Sequence, residues 1–239
     1  MRNKSLVVAK ANFRNIKTAY VIMAIVLGCI LVQDVVMLFI GMARGAGYYG
    51  IEGNMTVSFG NYLFLLVILS AIFIPSMNFR KIMNLGGKRV DFFQGCAVTY
   101  AIMAAAVSLV CVILYYTYDR FVVSLLYNGG TMDVLYWFGW IGNGVVVAFI
   151  QQFAFLLLFS VFLHTLVAAQ DKWYGWAADV LIVAIISVFT PIAPLRASLV
   201  WFFNLIIFNS SAILQIASCL ILAIAVYALN RPILARKAI

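Results

Sequence analysis

The chain has 239 residues, of which 66% are hydrophobic and 10% charged, with 16 Lys and Arg set against 7 Asp and Glu. A mean hydropathy of +1.09 excludes a water-soluble enzyme around one buried core, a disordered chain and a nucleic-acid-binding domain. The net charge of +9 therefore matters less for its size than for where the basic residues fall, which is mainly between apolar blocks.

Before the first apolar block, Leu6, Ala9, Phe13 and Ile16 recur at helical spacing beside a basic stripe of Lys10, Arg14 and Lys17, with Val7 and Val8 outside the pattern. This predicts an interfacial helix over residues 1–17 lying on the inner membrane surface. Retention of positive charge on that side accounts for the Lys and Arg equally well. The first span, about 18–40, is longer than the apolar region of a signal peptide and lacks an evident small-residue cleavage site, so it reads as retained. Asp34 falls about 24 Å beyond Thr18 at 1.5 Å per residue, near the outer headgroups.

A second span at about 59–78 leads into residues 79–95, which read as a cytoplasmic loop. Phe79, Ile82 and Met83 make a short apolar face, Arg80, Lys81, Lys88 and Arg89 are basic, and Gly86-Gly87 supplies a helix stop. A short capped helix and a loop that is basic only because inside loops are basic both fit. The glycine pair is not a phosphate-binding loop. That motif needs glycine where Ile82 stands and Ser or Thr where Arg89 stands.

Further spans follow at about 97–118, 145–165 and 177–193. The apolar piece 195–208 is short for a crossing between Pro194 and Asn209-Ser210-Ser211, so 195–211 reads as a re-entrant segment before a last span at about 212–229. If the piece crossed, the total would be seven. Charge placement favours six. The inside segments then hold Arg2, Lys4, Lys10, Arg14 and Lys17, the four basic residues of 79–95, Lys172, and Arg231, Arg236 and Lys237. The outside keeps only Arg44, Arg120 and Arg196. Aromatic residues cluster at the expected span ends, as anchors would: Tyr48-Tyr49, Tyr115-Tyr116, Tyr136-Trp137, Trp140, Trp173-Tyr174 and Trp176. The expected fold is an all-α integral membrane protein. Residues 1–239 form a single transmembrane domain with six transmembrane helices, an N-terminal interfacial helix and an extracellular re-entrant helical hairpin before the sixth span. Both termini are cytoplasmic.

The four cysteines, Cys29, Cys96, Cys111 and Cys219, have no C-x-x-C spacing and read as small hydrophobes, with no metal site. His164, at the inner end of the fourth span, has no partners for zinc or catalysis and reads as interfacial. No catalytic set shares one depth. Asp34, Gln151, Gln152, Asp179, Asn204 and Gln215 are the polar residues within or beside apolar segments, facing either a translocation path or neighbouring helices. An ion-coupled secondary transporter using Asp34 or Asp179 is one functional class they allow, although a relay normally wants carboxylates near the membrane centre and both lie toward span ends. A non-transporting scaffold is another.

The order of a basic surface helix, six spans, a short basic helix after the second and a re-entrant hairpin before the sixth resembles the permease subunit of type-2 ABC exporters. Asn84-Leu85-Gly86-Gly87-Lys88-Arg89 looks like the Leu-Gly-x-[Ser/x]-Arg element of small Gram-positive members. Among small permeases the chain is most similar to those that export membrane-active amphipathic peptides, such as phenol-soluble modulins. The resemblance implies ATPase coupling through Arg80, Lys81, Ile82, Met83, Asn84, Leu85, Gly86, Gly87 and Lys88. It implies an export path formed by two copies of the chain, and two copies of a separate ABC ATPase that carry the ATP and Mg. No cofactor is then expected on this chain, and its setting is the lipid of a bacterial plasma membrane.

Overall fold

The computed structural model describes residues 4–44, 56–123 and 131–237, and nearly all of them are helical. Tyr48-Tyr49 lie outside the described residues. α1 (Lys4–Asn15) turns at Ile16 into α2 (Lys17–Arg44). A 3-10 turn, Phe59–Leu63, leads into α3 (Phe64–Phe73), which continues through a π-helical turn, Ile74–Asn78, into α4 (Phe79–Asn84). Pro75 explains the π turn, because proline supplies no N–H and the ladder must shift its register to continue. Within this turn Ser76 donates its hydroxyl to the Ile72 carbonyl at 2.6 Å.

α5 (Arg89–Leu114) continues into a second π-helical stretch, Tyr115–Val123. The short α6 (Val134–Trp137) precedes α7 (Val145–Ala169), α8 (Trp173–Phe189), α9 (Ala193–Ile206) and α10 (Ala212–Arg236). Among the described residues, five continuous helices are long and apolar enough to cross a membrane: Lys17–Ile40, Phe59–Asn84, Arg89–Phe121, Val145–Ala169 and Ala212–Arg236. α8 and α9 form a bent pair, turned by 118° at the Thr190-Pro191-Ile192 break. A bend beyond a right angle turns α9 back instead of prolonging α8, and Pro194 fits its first turn, where an N–H has no helical partner.

α7 is the central helix, packed along α10, α5 and α3. Its near-uniform apolar surface suits a helix surrounded by others. One cluster, around Ile74, Phe79, Phe92 and Tyr100, fills the half of the bundle near both termini. A second, around Leu135, Trp140, Ile206 and Cys219, fills the far half. There Trp140 donates its indole N–H to the Ile207 carbonyl at 3.0 Å. The far end is closed by a two-residue parallel pairing of β1 (Thr56–Val57) with β2 (Thr131–Met132). Asn61 donates to the Met132 carbonyl at 2.8 Å, and the Ser58 hydroxyl to Asp119 at 2.5 Å.

Three expectations are corrected. Of the expected stripe, Ala9 and Ile16 are buried and Phe13 packs against the core, but Leu6 is 55% exposed, and Ser5, Val8 and Asn12 complete the packed face of α1 instead. Gly95 of α5 leaves a gap that Val8 fills, and Asn12 finds partners there, so contact geometry draws Val8 and Asn12, in place of Leu6, into the packed face. Of the two readings of residues 79–95, the short capped helix is the one found, and the segment as a whole is not a loop. It is the end of the second long helix, a turn of four residues and the start of α5, because Arg and Lys are good helix formers and the π turn carries the helix past Pro75. His164 is fully buried, its Nδ1 2.6 Å from the Tyr100 hydroxyl, because Tyr100 offers an interior partner.

Candidate functional site at the basic end of the bundle

The segment from Phe79 to Arg89 is built on a buried apolar face of Phe79, Ile82 and Met83. The helix ends in a Schellman motif. Gly86 N–H donates to the Met83 carbonyl and Gly87 N–H to the Ile82 carbonyl, each at 2.9 Å. The two glycines are required for different reasons. Gly86 has φ +79°, a left-handed conformation that costs an L residue about 1 kcal/mol or more. A Cβ on Gly87 would lie 2.6 Å from Ile82 Cγ2 and 2.8 Å from its carbonyl oxygen.

The turn presents Leu85, 88% exposed, with exposed Arg80, Lys81, Asn84, Gly86 and Lys88 around it. It is a basic tip with one apolar residue on it. Asp91, in the first turn of α5, complements the positive end of that helix.

The C-terminal tail braces this tip from behind. Arg89 donates to the carbonyls of Leu234, at 2.8 Å, and of Ala235, answering the negative end of α10. Lys237, 4% exposed, pairs with Asp171 at 2.8 Å and donates to the Ala168 carbonyl at 3.3 Å. Arg89 and Lys237 both lie over the Phe79 ring, 5.9 and 5.8 Å from its centroid, and Phe92 meets that ring edge-on. The tip is therefore tied to α10 and to the end of α7. Sequence reasoning missed this brace, since Lys237 reads there only as retained charge and no local spacing links it to Asp171.

A polar junction ties in α1. Asn12 donates to Thr99 at 3.2 Å and to the Cys96 sulfur at 3.7 Å, and accepts from Asn78 at 3.4 Å. α1, the π turn and α5 thus meet on one buried amide.

The other polar residues do not converge. Asp34 is buried at the far end, accepting from the Tyr118 hydroxyl at 2.5 Å. Asp179 is near the basic end and accepts from Gln170. Gln151 accepts from Asn143 at 3.1 Å, Gln152 is buried beside it on α7, and Gln215 donates to the Ile206 carbonyl at 3.0 Å. Asn204 is exposed on α9. Among the described residues, no three His, Cys, Asp or Glu side chains are grouped to hold a metal ion. Near the far end, burial pushes the Asp133 carboxyl above its ordinary value, against hydrogen bonds from the Leu135 and Tyr136 N–H groups.

The chain matches no protein-family model, no curated protein and no solved structure.

Proposed function

We propose that this chain is the membrane-spanning subunit of an ATP-driven ABC exporter, working as two copies above two copies of a separate ATPase. The observation that carries the reading is the Leu85 tip: an exposed leucine ringed by basic residues on a capped turn, braced by Phe79, Arg89 and Lys237. A partner that pushes on this tip pushes on α3, α5, α7 and α10 together, which is what a relay of nucleotide-driven motion requires.

Two further features support the reading. Asn12 is bonded to Asn78 and Lys237 lies over the neighbouring Phe79, so the first helix and the tail lie at one end of the bundle. That arrangement suits an even number of crossings with both termini in the cytoplasm and α9 as a re-entrant arm. In addition, α2 and α8 present wide apolar faces, with Val32 and Phe39 64% and 65% exposed and Val180 67% exposed. Such faces suit lipid, a second copy and a hydrophobic or amphipathic cargo such as a membrane-active peptide.

The test is co-purification with an ATP-binding protein encoded beside this chain, followed by ATPase and peptide-efflux assays in liposomes. Leu85→Asp and Lys81→Glu, both on the exposed tip, should leave thermal stability unchanged while reducing ATPase stimulation and efflux at least tenfold. Full activity in both variants would refute coupling through this turn. Flux driven by an ion gradient with the chain alone, lost in Asp34→Asn or Asp179→Asn, would replace the exporter reading with an ion-coupled carrier.

A further inference from the structure

Two cavities at the basic end share one wall. The first, about 320 Å³, lies between the start of α5 and the end of α10, with Arg89, Gln94 and Arg231 among its lining residues. The second, about 540 Å³, begins at the same Phe93 and is almost wholly apolar. Its floor is Leu157 and Val161 of α7, and its walls include Ala97 and Ala101 of α5 and Ala223 of α10. The groove exists because α5 and α10 each pack closely along α7 but only slightly on one another, and the alanines keep the walls thin.

A stack bridges α5 and α10 at the junction between the cavities. Phe93 and Tyr227 lie with ring centroids 4.3 Å apart and planes 20° from parallel, and the Tyr227 hydroxyl is bonded to the Phe93 carbonyl. Among the described residues, no acidic side chain lines either cavity. Arg89 is committed to the carbonyls of Leu234 and Ala235, and exposed Arg231 is the second cation of the wall. From Arg231 to Leu220, the other end of the groove on α10, is roughly 16 Å at 1.5 Å per residue. That distance fits much of one acyl chain.

We infer that the two cavities together bind one anionic phospholipid, with its phosphate at Arg231 and Gln94 and one acyl chain in the groove over α7. The halves are complementary in chemistry. A free phosphate leaves the apolar groove empty, and a zwitterionic lipid has no net charge for a site with two arginines and no acid. Basic pockets between helices at a membrane surface recognise anionic headgroups in this way. The inference does not depend on the exporter reading.

The experiment compares dioleoyl phosphatidylglycerol with dioleoyl phosphatidylcholine on the purified full-length chain in detergent, by native mass spectrometry and thermal unfolding. Phosphatidylglycerol should be retained in preference and raise the unfolding midpoint. Arg231→Gln should cut the preference about fivefold. Ala101→Phe, which fills the groove, should reduce retention of either lipid, and Ala97→Leu should do the same if the larger side chain fails to fold. Arg196→Gln, on α9, should change nothing. Equal retention of the two lipids, or an unchanged preference in Arg231→Gln, would overturn the inference. So would protection by glycerol 1-phosphate alone, which would indicate a free-phosphate site. Loss of self-association in Ala101→Phe with lipid retention intact would identify the groove as a contact between copies instead.

Discussion

The Lys237 ammonium lies 2.8 Å from the Asp171 carboxylate, and the two side chains differ sharply in burial, at 3% and 31% exposed. The pair is therefore asymmetric. Removing Asp171 leaves a buried cation with only the Ala168 carbonyl and the Phe79 face, whereas removing the cation leaves a carboxylate that water reaches. Asp171→Ala should cost about 2 kcal/mol, below the range for a fully buried pair because Asp171 is partly exposed. Lys237→Met, which keeps the apolar stem, should cost less than about 1 kcal/mol. Thermal unfolding in detergent checks the order, and equal losses would mean that the charge of Lys237 is solvated.

Gly95 sets how closely α1 approaches α5. A Cβ there would lie 2.5 Å from Val8 Cγ1, 2.6 Å from Val8 Cβ and 3.1 Å from the Ser5 carbonyl oxygen. In an open helix, Gly→Ala would gain about 1 kcal/mol. Here Gly95→Ala should instead lose about 1–3 kcal/mol through overpacking. It should also disturb the bonds of Asn12 to Thr99 and Asn78 and speed tryptic cleavage after Lys10 and Arg14. Val8→Gly opens the gap, so the double variant should recover part of the loss, and strict additivity of the two would show that this contact does not position α1.

Asp133 couples stability to pH. Its Oδ1 accepts from the Leu135 N–H at 2.6 Å and caps α6, but burial raises its proton affinity in the folded chain. A group that binds its proton more tightly when folded stabilises the fold fully below its unfolded value of about 3.9. That contribution is lost as pH rises through the higher folded value. Asp133→Asn keeps a capping oxygen without the charge, and it also removes a negative neighbour from Asp119. The variant and the parent should converge as pH falls below about 4, where the carboxyl is protonated in both states, and the variant should be the more stable at neutral pH and above. A stability difference independent of pH would rule out the ionised carboxylate as its cause.

The apolar runs were legible because crossing hydrocarbon needs about 20 consecutive apolar residues, and that sum is read along the chain. The stop after Asn84 was legible because glycine pairs tolerate the left-handed conformation that Gly86 adopts. Helix boundaries around it were not. The π turn carries α3 past Pro75, and Arg80, Lys81 and Arg89 are helical, with only Lys88 in the turn. The brace was invisible for a different reason, since Lys237 and Asp171 meet only once α7 and α10 lie side by side.

Sequence by itself determined that the solvent is lipid, which stretches are long enough to cross it, and that charge gathers between them. Tertiary structure decided which side of each helix faces which neighbour. It put Asn12 against Thr99 and Asn78, His164 against Tyr100, and Phe93 against Tyr227. The division follows from the medium. In water, an apolar stripe tells a helix which way to turn. In a bilayer, lipid tails are as apolar as the interior, so rotation about the axis is set by small residues that allow close approach and by polar groups that must find one another.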